Sequence, residues 1–453
     1  MKIIVGGAGS VGRSIIAYLS RADNDIVVLD INQERLDEIS KEFDVQTVLG
    51  SVSRPDIQES IGAQNADILI AATDNDEVNL VACQVAYTLF GVKKKIARID
   101  SEYFLSPLWN TLYNEKSLPV DLVISPDESI AKNIMDIVSI KGAREVYPFE
   151  NGKIVMVGFK CNQECGLYQF KISELYENFR DLEFSIAHIL RDGVHFYPKD
   201  DEMLHASDML YVLTYQANVS KILKAFNIAQ PVYENVVIFG SDAMAFDVAR
   251  FMEENDDVLS LKIVTNQLDA AHKMSEYLNK AVVIYGEMMS DVILSDAHLE
   301  RADLTISVTP QDKDNLLLSL LAKSSGVNTT LSLVNSQMYD NLTGRISDNI
   351  IIDRSTITIS KILQDIRHVN LLNAYSLGRG FSEVWELKLK TDTLLEGKKI
   401  SELNMPEKCK VLAVLRQGKL IFDIQNTPLE LGDILFMIVP PNTIKRVETI
   451  FNI

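Results

Sequence analysis

Ile3-Ile4-Val5-Gly6-Gly7-Ala8-Gly9-Ser10-Val11-Gly12 joins an apolar run to a glycine turn, and the turn to a helix pattern with Val11, Ile15, Tyr18 and Leu19 on one face. Strand, G-x-G-x-x-G turn and helix in that order mark a dinucleotide-binding unit. Gly7 allows the tight turn, Gly9 lets a pyrophosphate approach the backbone N–H groups, and Gly12 lets the helix pack closely on the strand. A second apolar run, Ile26-Val27-Val28-Leu29, ends at Asp30. An acid there is expected to accept hydrogen bonds from a ribose and to repel a 2′-phosphate, which favours NAD or an adenosine nucleotide over NADP.

A second copy of the turn, Val236-Val237-Ile238-Phe239-Gly240-Ser241-Asp242-Ala243-Met244-Ala245, carries Asp242 where the first has Gly9. Its next strand, Leu261-Lys262-Ile263-Val264, runs into Thr265 and Asn266 with no acid. A carboxylate facing a pyrophosphate repels it, and its Cβ fills the line of approach. This copy is expected to be a retained structural duplicate that binds no dinucleotide of the usual kind.

The duplication extends along the chain. Gln64-Asn65-Ala66-Asp67-Ile68-Leu69-Ile70-Ala71-Ala72-Thr73 aligns without gaps to Glu300-Arg301-Ala302-Asp303-Leu304-Thr305-Ile306-Ser307-Val308-Thr309, and Gly50, Asp76 and Asn79 pair with Gly286, Asp312 and Asn315. Alternating strands and helices in each copy imply a parallel sheet covered on both faces. The apolar helices 79–90 and 315–323 read as core helices. A smaller element of short strands and Gly or Asp turns follows each copy: Arg191-Asp192-Gly193 through Asp208 matches Arg416-Gln417-Gly418 through Asp433. The expected division is 1–140, 141–230, 231–369 and 370–453, with Ala229-Gln230-Pro231-Val232 as the mid-chain linker.

A length of 453 residues accommodates several domains, and 47% hydrophobic residues can fill their cores. No run approaches the roughly 18–20 apolar residues of a membrane span, and the chain enters a strand at once, so a cytoplasmic protein without a signal peptide is expected. Four cysteines fit a reducing compartment. Cys161 and Cys165 have the spacing of half a zinc site, but no second pair or nearby His completes it, so two free thiols and no metal are expected. A net charge of −19 argues against nucleic acid as partner. The basic run Lys93-Lys94-Lys95 follows Gly91 and reads as a solvated helix end.

The residues resemble the TrkA family, cytoplasmic regulatory subunits of bacterial Trk potassium uptake systems built from two RCK (KTN) units. The resemblance covers essentially the whole chain and is most specific at Val48-Leu49-Gly50, Ala63-Gln64-Asn65-Ala66-Asp67, Ala72-Thr73-Asp74-Asn75-Asp76-Glu77-Val78-Asn79, Ala82-Cys83-Gln84-Val85-Ala86 and Ala97-Arg98-Ile99. It implies two Rossmann-like doubly wound TrkA-N domains, each followed by a small α+β TrkA-C domain. By similarity, Gly7, Ala8, Gly9, Ser10 and Val11 would wrap the phosphates of NAD(H), ATP or ADP, Asp30 would hold the ribose, and Thr73 with Asp74 would border the nucleotide. Arg98 would neutralise phosphate charge, on a nucleotide in its own or a neighbouring subunit, with a structural ion pair as the alternative. The implied partners are a TrkH-type membrane potassium transporter, which would hold the chain at the inner face of the membrane, and a second copy, the dimer of tandem chains forming a four-unit ring. The chain departs from the family at Gly50-Ser51-Val52, where an Asp often follows the glycine, and in the lost second glycine loop.

Two classes of function remain open to a nucleotide site. An NAD-dependent oxidoreductase acting on a small molecule needs a proton donor or acceptor beside the nicotinamide. None of the six histidines, His188, His195, His205, His272, His298 and His368, falls in the first glycine-loop unit, and Trp109 with Tyr113 reads as packing. A nucleotide-sensing switch needs no catalytic residue, only different affinities for two conformations.

Overall fold

Ile3, Ile4 and Val5 are fully buried at the centre of a six-stranded parallel sheet, as an apolar run flanked by helices on both faces requires. The computed structural model describes residues 1–453 except 23, 163–164, 166, 168–169, 336–348, 367–370, 379, 390–394 and 453. The first sheet contains β1 (Lys2–Gly6), β2 (Asp25–Asp30), β3 (Gln46–Leu49), β4 (Ile68–Ala71), β5 (Lys94–Arg98) and β6 (Leu122–Ile124), in the order β3-β2-β1-β4-β5-β6. The strand order reverses between β1 and β4, and the crevice beyond their carboxyl ends is where open α/β sheets bind ligands.

An antiparallel sheet follows, with β7 (Glu145–Phe149), β8 (Ile154–Lys160), β9 (Phe184–Arg191), β10 (Val194–Phe196) and β11 (Met209–Tyr215) in the order β10-β9-β11-β8-β7. The second parallel sheet repeats the first: β12 (Asn235–Phe239), β13 (Ser260–Thr265), β14 (Val282–Tyr285), β15 (Leu304–Ser307), β16 (Thr329–Val334) and β17 (Asn349–Asp353) are ordered β14-β13-β12-β15-β16-β17. A second antiparallel sheet closes the chain, with β18 (Leu371–Leu377), β19 (Ser382–Lys388), β20 (Lys410–Arg416), β21 (Lys419–Ile421) and β22 (Ile434–Val439) in the order β18-β19-β22-β20-β21. Read from the opposite edge, that is the order of the first antiparallel sheet. The expected fold class holds: two doubly wound parallel sheets and two small α+β elements.

The repeated sequence marks repeated bonds. Asp67 Oδ2 accepts the N–H of Lys2 at 2.8 Å and Asp303 Oδ2 that of Asn235 at 2.8 Å, so each acid ties its own sheet to the start of the central strand. Arg191 donates Nε and Nη2 to Asp208, both at 2.8 Å, and Arg416 does the same to Asp433. These bidentate pairs brace the two small sheets identically.

Packing crosses between the copies. Helix Pro126–Ser139 follows the first parallel sheet, yet its Ile130, Ile134 and Val138 share a core with Val236 and Met244 of the second copy and with the first small sheet. Helix Arg354–Ile366 follows the second sheet, yet its Ile359, Ile362 and Leu363 share a core with Ile15 and Leu19 of the first copy and with the second small sheet.

The structure corrects the reading of the lysine run. Gly91 does cap helix Asp76–Phe90 in the left-handed conformation. Lys95, however, is buried in β5, 2.8 Å from Asp121 and over the Tyr87 ring, and Lys94 pairs at 2.7 Å with Asp365 on the exchanged helix.

Candidate functional site

β1 ends in a turn that only glycines can make. Gly7 has φ +102°, and a Cβ there would lie 2.7 Å from the carbonyl oxygen of Ala72 on the neighbouring strand. A Cβ on Gly12 would lie 1.8 Å from the oxygen of Gly7, so helix Ser10–Leu19 seats on the turn because residue 12 has no side chain. A Cβ on Gly9 would meet only Arg35 Nη1, at 3.8 Å, so the space in front of the helix is open. No side chain caps that helix at Gly9, and its first turn has no acid. Uncapped N–H groups at the positive end of a helix form an anion site, and these residues fit a dinucleotide pyrophosphate.

Asp30 ends β2, buried, beside this turn. Its Oδ2 accepts the N–H of Ala8 at 2.6 Å and its Oδ1 that of Asn32 at 2.8 Å. The acid thus holds the glycine turn in place, a task that spacing alone did not disclose.

Thr73 follows β4. Asn79 Oδ1 accepts from Thr73 Oγ1 at 2.7 Å and from Thr73 N at 3.0 Å, while Asn79 Nδ2 donates to the carbonyls of Thr73 and Arg98. Thr309 and Asn315 repeat this lock in the second copy, so it shapes the strand ends whether or not the glycine loop survives. Asp74 is exposed in the turn. Asp76 accepts the N–H of Ser101 at 2.8 Å, and Asp312 repeats this with Asn335. Arg98, at the end of β5, donates Nε and Nη2 to Asp100, which holds its guanidinium at the rim. The predicted site residues therefore share the carboxyl edge of four adjacent strands, with Asp30 and Ala8 in direct contact.

The second copy closes its own site. Asp242 is the N-cap of helix Ala243–Glu253, its carboxylate accepting the N–H of Ala245 at 3.2 Å. Burial pushes its carboxyl above the usual carboxylate range, with Asp127 adding to the shift, and the Ala245 N–H offsets it in part. In place of Asp30, Thr265 donates to Ser241 at 2.9 Å.

Among the described residues no histidine meets the first glycine turn, and the one carboxylate that does, Asp30, is engaged by the N–H groups of Ala8 and Asn32. His188 stacks on Tyr211 at 3.8 Å and His195 on Phe381 at 4.9 Å, within the small sheets. Burial pushes His188 well down and His195 down to about 4, as suits neutral packing residues. His205, His272 and His298 are exposed, and His368 lies outside the described residues. Trp109, read as packing, is 56% exposed. The Cys161 and Cys165 sulfurs are buried 3.6 Å apart, and among the described residues no cluster of three metal-ligating groups occurs. No described helix is long and apolar enough to cross a membrane.

With this geometry in place, residues 3–126 and again 236–353 match the TrkA-N domain, and residues 384–452 match the TrkA-C domain. The chain belongs to the TrkA family. It is 29% identical to the Trk system potassium uptake protein TrkA of Azorhizobium caulinodans, covering 100% of this chain and 99% of that one. It is equally 29% identical to the protein of that name from Halomonas elongata, over 100% and 99% of the two chains. Among solved structures, the RCK domain of GsuK superposes with a TM-score of 0.62 at 17% identity, covering 100% of this chain and 95% of that one. The GsuK channel bound to NAD gives the same score and identity over 78% of its own length. These likenesses show the fold. The two residues that sequence reading missed, Arg354 and Asp127, each directly follow a TrkA-N match and meet only through the helix exchange, for which no local pattern exists.

Proposed function

We propose that this TrkA-family chain is the regulatory subunit of a Trk-type potassium uptake system, binding NAD(H), ATP or ADP in its first TrkA-N domain and biasing a membrane pore without chemistry of its own. The observation that carries the reading is the contrast between two copies of one fold. One has an open, uncapped glycine loop tethered by Asp30, and the other is capped by its own Asp242. Gly7, Ala8, Gly9, Ser10 and Val11 supply backbone donors for phosphate, Asp30, already accepting from Ala8 and Asn32, stands beside them for the ribose, and Thr73 and Asp74 border the crevice. Arg98 stands at the rim. The placing of His188 and His195 within the small sheets, away from the first glycine turn, favours this reading over the oxidoreductase alternative.

A nucleotide shifts a two-state protein only by its differential affinity. A swing from 1:99 to 99:1 needs about 5.5 kcal/mol, which several coupled sites could share. Exposed Val81 and Leu89 on helix Asp76–Phe90, with Leu317 and Leu320 on helix Asp312–Ser324, give both TrkA-N copies an apolar outer face suited to a ring of two chains beneath a TrkH-type transporter. In this reading the subunit works in the cytoplasm, held at the membrane by its partner. The domains run 1–140, 141–230, 231–369 and 370–453, the last junction touching residues 367–370 outside the described set.

The test is potassium or rubidium flux through a reconstituted Trk-type pore with this subunit, with and without NADH or ADP, beside Gly9→Asp. Nucleotide-dependent flux lost in Gly9→Asp supports the reading. Flux indifferent to nucleotide, or steady NADH oxidation with a small-molecule substrate, overturns it.

A further inference from the structure

The helix exchange brings a cation from the second TrkA-N copy to the glycine loop of the first. Helix Arg354–Ile366 lies along helix Ser10–Leu19: the hydroxyls of Ser14 and Ser355 are 2.8 Å apart, and Ser10, Val11 and Ser14 share a narrow crevice with Arg354 and Ser355. Arg354, the first residue of its helix, lines that crevice with Ser10 and Val11 and so stands at the start of helix Ser10–Leu19. Its side chain is 18% exposed, its Nη2 lies 3.3 Å from Asp127 Oδ1, and its buried Nε has no hydrogen-bond partner among the described residues.

The duplicate brings an acid in the corresponding place: Pro126 holds the register of Arg354, and Asp127 follows it. Helix Pro126–Ser139 packs against helix Ala243–Glu253, and the residue it brings is Asp127, beside the loop that already holds Asp242. Burial pushes the carboxyl of Asp127 up as well, and Arg354 tempers both acids. The open loop thus receives a guanidinium and the self-capped loop a second carboxylate.

We propose that Arg354 is a phosphate ligand of the nucleotide held by the first copy, kept in reserve on Asp127 until the pyrophosphate arrives. The inference rests on the proposed nucleotide site and adds a residue that only the exchange places there. A guanidinium with an unused Nε–H and a 3.3 Å ion pair has donors to give, and a doubly charged pyrophosphate attracts it more strongly than one carboxylate. Its departure leaves Asp127 and Asp242 without their shared cation at the contact between the copies. Nucleotide binding thereby changes the energy of one arrangement of the copies relative to another, as a switch requires.

The experiment is calorimetric titration of the full chain with ADP and with NADH, for the wild type, Arg354→Gln, Asp127→Asn and the double variant. Arg354→Gln is expected to weaken both nucleotides by about ten-fold or more, the usual worth of a hydrogen bond to a charged group. Asp127→Asn is expected to tighten them several-fold by removing the competitor, and the double variant to bind like Arg354→Gln. A merely structural pair would make both single variants weaker. Unchanged binding in Arg354→Gln, or weakened binding in Asp127→Asn, overturns the inference and leaves the nucleotide site standing. No binding by the wild type overturns the nucleotide site itself and this inference with it.

Discussion

The Oδ2 atom of Asp30 accepts the backbone N–H of Ala8 at 2.6 Å, so the acid that ends β2 also fixes the glycine turn that ends β1. Asp30→Ala should therefore cost both ribose recognition and the preformed turn. Calorimetry should show nucleotide binding weakened by about ten-fold or more, and melting should show a loss on the order of 1–3 kcal/mol from the untethered buried N–H. Asp30→Asn, whose amide oxygen can still accept from Ala8, should retain most of the stability.

Asp242 serves as a helix cap at the cost of a half-buried charge. Asp242→Asn keeps the cap and removes the charge, so it should be at least as stable as the wild type at neutral pH. Asp242→Ala loses the cap and should fall below Asp242→Asn by about 1 kcal/mol in denaturant titration. Neither should create a second nucleotide site, because Thr265 still stands where Asp30 does in the first copy.

Beneath the open loop, helix Ser10–Leu19 ends against the second small sheet, where the Tyr18 hydroxyl and the Trp385 Nε1 both donate to the fully buried Glu383. Tyr18→Phe removes one donor from a buried carboxylate and should destabilise the chain by about 1–3 kcal/mol in denaturant titration. It should also alter the flux response to nucleotide, since the helix that carries the loop loses its polar anchor on that sheet.

Glu386 in β19 is buried, and burial with Glu150 beside it pushes its carboxyl up to about 7, against the stabilising amide of Asn373. An unfolded glutamate ionises near 4.5, so across that window the folded chain holds a proton that the unfolded chain has released. Stability should fall as pH rises from about 4.5 to about 7 and then level off. The stability of Glu386→Gln relative to wild type should grow over the same window in melting experiments and stay constant above it.

The glycine turn, its terminal acid and the duplication were legible because each is a local pattern: period, spacing and glycine identity carry them. The recurrence of Asp67 as Asp303 and of Asn79 as Asn315 was legible too, although its cause, a strand-start tie and a strand-end lock, needed coordinates. Lys95 was misread because its Asp121 partner lies on no neighbouring turn of chain, and a buried lysine in a strand looks like any other in a basic run. Arg354 and Asp127 were invisible for the same reason in stronger form. Sequence order assigns each to one copy, and packing delivers it to the other.

Calorimetric titration with NADH and with ADP, each followed by competition with the other, reads the number of sites in the intact chain directly. The account predicts one site per chain, shared by the two nucleotides and lost in Gly9→Asp. Two sites per chain, or none, would contradict it.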